Sequence, residues 1–216
     1  MGIVKERFKE KSDAANIEIK NLLKEHGNKV IGEVTLSQIY QGMRGMTGLV
    51  TETSLLDAQE GIRFRGFSIP ELQQKLPKAN GGAEPLPEGL FYLMLIGELP
   101  TMDDVNHITN VWQRRSHVPS HVFSAIDSLP LYAHPMTMFV IGVMALQTEG
   151  HFVKEYSNGI NKKDYWNSVY DDCMDLIARL PRIAAYVYRR KYKFSEHIQP
   201  NGLLDWAGNL AHMLGY

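Results

Sequence analysis

Residues 42–70 read GMRGMTGLVTETSLLDAQEGIRFRGFSIP. Glycines at 42, 45, 48, 61 and 66 punctuate short runs rich in Val, Thr, Leu and Ile. With Gly32 and the preceding Val30, Ile31 and Val34, the pattern over 29–69 predicts short strands joined by tight turns. It is the only β-like part of the chain. Pro70 suits the first turn of a short helix running through Leu76. Within this stretch Arg44 stands between Gly42 and Gly45. A guanidinium on a glycine-rich turn reaches a phosphate well, because small neighbours let the ligand approach; a solvated turn arginine is the plainer alternative. Arg63 and Arg65 alternate with Ile62 and Phe64, which on a strand puts both arginines on one side. Pairing with Glu52, Asp57 or Glu60 in a structural ion-pair role is expected of them.

Outward from this stretch the pattern becomes helical. Residues 3–25 mix loosely periodic Ile, Phe and Leu with many charges, which predicts a surface helix closed at Gly27 as its C′ residue. Residues 77–87 hold three prolines and two glycines and read as a loop. Helices then follow over Glu88–Gly97, from Thr101 as N-cap, from Pro119-Ser120, and from His134-Pro135 through about Gln147. A long helix is predicted from Lys163 to Tyr192, with a kink or break near Leu180 caused by Pro181. The last helix follows Gly202 and ends near Leu214. Its Leu203, Leu204, Trp206, Leu210, Met213 and Leu214 form an apolar stripe that is expected to be exposed, as in a chain cut inside a fold. The segment from Phe139 to Leu146 is apolar on most faces, so that helix is expected to be buried, in a core or against a second copy. The whole predicts a mainly α fold with a small β element near residues 29–69.

Composition removes several classes of function. The 216 residues carry a net charge of −1, with 22% charged and 44% hydrophobic residues, an ordinary globular balance. No charge excess points to nucleic acid or to a membrane surface, and no apolar run approaches the ~18 residues of a membrane span. The single cysteine, Cys173, excludes a disulfide framework and reads as a buried structural thiol. Residues 1–12 mix acids and bases, so no transit peptide is expected there, and Glu6 stands where a myristoylation signal needs Ser or Thr. Eight histidines are present, none in HExxH spacing; His134 before Pro135 suits helix capping, and structural roles are expected for His107, His117, His121 and His212. No GxSxG, Walker or GxGxxG motif occurs.

The 42–70 stretch resembles the N-terminal signature of citrate synthases of the mitochondrial and plant kind. The similarity continues in order through Gly81–Leu90, His134-Pro135-Met136, Tyr165-Trp166, Asp175–Pro181 and Met213–Tyr216. It covers about Lys24 to Tyr216, and the family's full subunit is about twice this length. The resemblance therefore implies a partial citrate synthase-like helical fold, residues 1–216 being the N-terminal part of the large domain, without the small domain and the catalytic half. It implies the condensation of acetyl-CoA with oxaloacetate and water to citrate and CoA, in the mitochondrial matrix. Acetyl-CoA and CoA are then substrate and product, with no permanently bound cofactor.

In the family a carboxylate enolises the acetyl group, one histidine stabilises the enol and a second supplies a proton as the carbon–carbon bond forms; thioester hydrolysis follows. No residue of this chain matches any of these, so catalysis by residues 1–216 alone is not expected. The resemblance assigns Arg44 to a CoA phosphate. It assigns Lys162 to the same ligand, as a point charge where the family usually has arginine, with Lys163 as an alternative bearer. It also implies a homodimer built on helices near 119–127 and 135–147, with Gly142 allowing close helix approach. A non-catalytic assembly subunit and one half of a split enzyme are the alternative readings. A methylcitrate synthase would share much of this half.

Overall fold

The computed structural model describes residues 2–216. In chain order these form helices α1 (Ile3–His26) and α2 (Leu36–Tyr40) and strands β1 (Ser54–Asp57), β2 (Gly61–Phe64) and β3 (Phe67–Ser68). Helices α3 (Ile69–Lys75), α4 (Pro87–Ile96), α5 (Met102–Arg115), α6 (Ser120–Asp127) and α7 (Pro135–Ala145) follow. Then come α8 (His151–Ser157), α9 (Tyr165–Tyr188) and α10 (Trp206–Leu214). The fold is mostly helical with one small sheet, as the pattern predicts. The chain divides into two compact units, Met1–Lys75 with Phe91–Leu99, and Leu76–Leu90 with Pro100–Tyr216.

The first unit holds α1 to α3, the sheet and the second half of α4. Its sheet is an antiparallel meander in the order β1-β2-β3, with Leu55 opposite Arg63 and Phe64 opposite Phe67. Strand pairing is confined to 54–68; residues 29–53 are irregular apart from α2. The expected strands there do not form because the glycines are used in left-handed turns (φ 73° at Gly42, 71° at Gly45), which break a ladder. Thr35 caps α2 in a reciprocal box with Gln38, its hydroxyl accepting from the Gln38 N–H at 3.3 Å. Helix α1 is largely exposed, as its charge pattern predicts, with Val4 buried. Gly27 closes it at φ −60°, in right-handed geometry and not the left-handed C′ conformation. Leu72, Tyr92, Leu93 and Ile96 are the other buried apolar residues of this unit.

The second unit is organised on α9, against which α5, α6, α7, α8 and α10 all pack. Its inward positions include Met174, Ala178, Ile183, Ala185 and Val187, all buried. Cys173 lies one position from Met174 and is exposed; the helical turn carries it away from the core, contrary to the buried thiol expected.

Pro181 does not break α9, which runs unbroken through it. Proline has no N–H to give the carbonyl four residues earlier, which is that of Ile177. The Trp206 indole Nε1–H donates to that carbonyl at 2.8 Å. The first turn of α10 therefore satisfies the acceptor that Pro181 leaves unpaired. The apolar stripe of α10 is largely covered in this way: Met213 is buried, while Leu203, in the loop before the helix, is exposed.

Helix α7 is not wholly buried, although it is apolar on most faces. Met138 and Gly142 face inward, and Met136, Val140 and Met144 form an exposed stripe. Gly142 permits close approach, but within the chain. A Cβ there would lie 2.8 Å from Ile126 Cδ1 of α6 and 3.0 Å from Ile183 Cγ2 of α9.

Two outcomes follow for stability. Trp206→Phe should cost less in a Pro181→Ala background than in the wild type, with a coupling of about 1 kcal/mol, because an alanine at that position supplies its own N–H to Ile177; chemical denaturation of the four proteins measures it. Gly142→Val should destabilise by about 1–3 kcal/mol through overpacking, whereas Val140→Ala, on the exposed stripe, should change the monomer's unfolding by no more than about 0.5 kcal/mol.

Candidate functional site

Arg44 lies on the turn after α2. The Met43 N–H donates to the Gln38 carbonyl at 2.8 Å and the Met46 N–H to the Met43 carbonyl at 3.3 Å. Gly42, Met43 and Gly45 are all left-handed, at φ 73°, 64° and 71°. Glycine adopts that region freely, but methionine does so at a cost of about 1–2 kcal/mol. The result is a tight, small-walled turn with an exposed guanidinium. Among the described residues Arg44 has no hydrogen-bonding or ion-pair partner.

Arg63 and Arg65 differ. Arg63 pairs with Glu60 at 2.8 Å and Glu71 at 3.7 Å and donates to the Gly66 carbonyl. Arg65 pairs with Glu52 at 3.5 Å and donates to the Met94 carbonyl at 2.7 Å. Both are structural, as expected. They do not share a strand face, because Arg65 lies past the end of β2 in the left-handed region, at φ 48°. Asp57 accepts from the N–H groups of Glu60 and Gln59, which hold its carboxyl below the usual range.

Lys162 belongs to the second unit, in a short 3-10 turn (Lys162–Asp164) opened by Asn161, whose side chain accepts from the Lys163 N–H at 3.1 Å. The Lys162 and Lys163 side chains are exposed and, among the described residues, have no ionic partner.

Elsewhere in this unit a cluster of charges on and around α9 is paired internally. Asp175, buried on α9, accepts from Arg115 at 2.7 Å and from Arg179 and His151 at 3.3 Å each. Asp171 takes the other arm of Arg115 at 2.9 Å. Asp172 accepts the N–H groups of His151 at 2.6 Å and Phe152 at 2.9 Å, capping α8. Partial burial and the Asp172 charge push the Cys173 thiol up, which leaves it a poor nucleophile.

The pattern also passes over one buried and one half-buried polar group. Glu88, fully buried, accepts from Thr109 Oγ1 and from the Trp206 N–H, each at 3.1 Å. One carboxylate therefore serves the first turns of both α4 and α10, where helix dipoles favour negative charge. Desolvation still outweighs these contacts and pushes its pKa up. His197 Nε2 accepts from Arg182 Nε at 3.3 Å, between the rings of Phe123 and Tyr186. Desolvation, then Arg182 and Arg189, hold its pKa below the ordinary value. Glu88 lies within the Gly81–Leu90 block and His197 in none of the matched blocks, but the role of each is revealed only by contacts distant in sequence. Of the other histidines, His134 caps α7 by accepting from the Met136 N–H at 3.2 Å, and His121 Nε2 lies 3.2 Å from the Ala145 carbonyl. Among the described residues no group of three or more His, Cys, Asp or Glu side chains could hold a metal ion. No single helix among them is long and apolar enough to cross a membrane.

The helical arrangement is that of a known class of enzymes. A crystal structure of citrate synthase from Pyrobaculum aerophilum superposes with a TM-score of 0.67 at 24% identity, over 87% of this chain and 45% of that one. The Thermoplasma acidophilum enzyme, solved with carboxymethyl coenzyme A and oxaloacetate, superposes at 0.62 with 21% identity, over 80% of this chain and 41% of that one. These likenesses show the fold. Residues 42–216 match the family model described as the citrate synthase C-terminal domain, and the chain belongs to the citrate synthase family. It is 52% identical to "Citrate synthase 4, mitochondrial" of Arabidopsis thaliana, over 92% of this chain and 42% of that protein. It is also 52% identical to the mitochondrial citrate synthase of Aspergillus niger, over 99% of this chain and 45% of that protein. The chain thus spans less than half the length of these relatives.

His197 gives a pH dependence. Its folded pKa is depressed, so between that value and the ~6.5 of an unfolded chain the unfolded state binds more protons. The stabilisation is complete above about pH 6.5 and is lost as pH falls toward the folded pKa. His197→Gln keeps an acceptor for Arg182 and should flatten that part of the stability–pH curve, read by thermal unfolding from pH 7.5 to 5.

Proposed function

We propose that residues 1–216 supply the N-terminal part of the large domain of a citrate synthase. In this reading the whole protein joins acetyl-CoA to oxaloacetate with water, giving citrate and CoA, in the mitochondrial matrix. The contribution of this segment is to hold coenzyme A by its phosphates and to form a homodimer; the enolising carboxylate and the two histidines lie in the family's other half. The observation that carries the reading is the placement of Arg44. It is an exposed cation on a glycine-walled turn, with no carboxylate of its own among the described residues. Such a guanidinium forms charge-assisted bonds to phosphate oxygens without first breaking an ion pair. Lys162, with Lys163 as the alternative bearer, is assigned to CoA phosphate as a point charge by the family resemblance alone. The names of the relatives support the reaction and the compartment.

The exposed stripe of α7 supports self-association. Met136, Val140 and Met144 recur every four residues, the spacing of one helix face. A two-fold axis would set this face against its own copy, with α6 alongside.

The test is titration of the chain with coenzyme A by calorimetry. Arg44→Met should weaken binding about tenfold or more, the worth of a charge-assisted hydrogen bond. Lys162→Met should weaken it less. The chain given acetyl-CoA and oxaloacetate should release no free thiol. Equal affinity of wild type and Arg44→Met would sink the assignment, and thiol release would return the chemistry to these residues.

A further inference from the structure

The end of α9 does something the family signature does not require. After Tyr188 the helix widens into a π-turn, Arg189–Lys193, which ends at Phe194 in the left-handed region at φ 48°. Widened turns of this kind re-aim the side chains they carry. Here they aim Arg190 into the corner between α6 and α7. Its Nε donates to Asp127 Oδ1 at 2.9 Å, and its Nη2 to the carbonyls of Asp127 at 3.2 Å and Leu129 at 2.7 Å. Its Nη1 lies 3.6 Å from Met138 Sδ. One guanidinium thus reaches the C-terminal end of α6, the connection that follows it, and the buried face of α7.

The neighbours reinforce it. The Tyr186 hydroxyl donates to Asp127 Oδ2 at 2.6 Å; burial and the Asp127 carboxylate push its pKa up to about 12, so it remains a donor at neutral pH. Lys191 Nζ donates to the Leu131 carbonyl at 2.6 Å. The carbonyls at the end of α6 have no intrahelical donors, and a cation is the favourable cap for that end of the dipole. The Arg190 side chain is 16% exposed and that of Asp127 48%, so this is a half-buried network in which several donors converge on one short segment. Such networks are worth more than isolated surface pairs.

Met138 is the link to the outer face. It is fully buried and lies two residues from each of Met136 and Val140. Holding Met138 and the end of α6 together fixes the rotation of α7 about its axis, and that rotation decides which way the face carrying Met136, Val140 and Met144 points. We propose that Arg190 is a positioning residue for self-association, clamping the α6–α7 corner from behind so that the α7 stripe is presented to a second copy of the chain. This rests on the homodimer reading given above. Lysine could not replace it, because a point charge cannot reach the carboxylate, two carbonyls and the thioether together.

The experiment is sedimentation velocity of the chain over a wide concentration range, paired with amide hydrogen exchange over residues 128–134. Wild type should dimerise. Arg190→Met should raise the dissociation constant tenfold or more and speed exchange at the corner. Arg190→Lys should fail to restore either and carries the same test should Arg190→Met not fold. Trp206→Phe, which weakens the fold away from the corner, should leave the dissociation constant within about twofold of wild type. Dimerisation of a folded Arg190 variant as tight as wild type would overturn the inference and leave the dimer reading standing. A wild type monomeric at all concentrations would overturn both.

Discussion

The Ile177 carbonyl is the point on which the helical unit turns. A proline four residues downstream withdraws its natural donor, and inside a packed helix an unpaired carbonyl costs about as much as a lost hydrogen bond. The chain answers from 29 residues further on, with the Trp206 indole. That bond ties α10 to the middle of α9, while the Trp206 backbone N–H is held by Glu88 at the start of α4. A single residue thus links three helices, and its ring packs 6.4 Å from Trp112 of α5. Pro181 is tolerated within α9 because this arrangement supplies what it removes.

The polar groups divide into those committed to the fold and those left free. Asp171, Asp172 and Asp175 each accept from donors on other elements, and Arg115, Arg179 and Arg190 are matched to carboxylates. Arg182 is directed at neutral acceptors, His197 and Gln199. A charge held in this way has already lost its water and gained its partner, so a ligand must displace that partner to use it. Arg44 and Lys162 carry no such obligation among the described residues. Net charge does not reveal this: a chain at −1 can still present uncommitted cations at chosen turns.

Much of the fold is legible in the sequence, and the limits have physical causes. Caps and punctuation are readable because they are local: Thr101 boxes with Asp104, with its N–H donating to the carboxylate at 2.9 Å, and Pro70, Pro119 and Pro135 stand at or beside helix starts. Glycines mislead, since the same residue that turns a hairpin also makes an irregular loop, and residues 29–53 are the latter. Pro181 misleads for a different reason: its cost is evident from the chain, but the compensating indole lies in another helix. Cys173 is misread by a single helical position. Apart from the i,i+4 pair Asp175–Arg179, the polar clusters around Asp175, Glu88 and His197 join residues 15 to 118 positions apart, a distance at which no spacing rule operates. Arg44 and Lys162 stand out through resemblance to a family, and the turn geometry gives one of them a physical rationale.

Helix α7 shows how one composition can carry two duties. An all-apolar helix suggests full burial, yet only one side is occupied, by Ile126 and Ile183 against Gly142. Glycine is spent there, inside the chain, so it is not available to bring two copies of α7 close. The outer side carries Met136, Val140 and Met144, whose side chains in the proposed dimer would hold a partner helix at ordinary packing distance, about 8–10 Å between axes. Methionine suits such a face, because its flexible thioether adapts to a surface it meets only after folding. Valine between them is stiff about χ1 and in that dimer would fix the register. A face of this kind discriminates poorly on its own, since any apolar surface satisfies it. Its specificity must come from orientation, and orientation is set by what grips the helix from within.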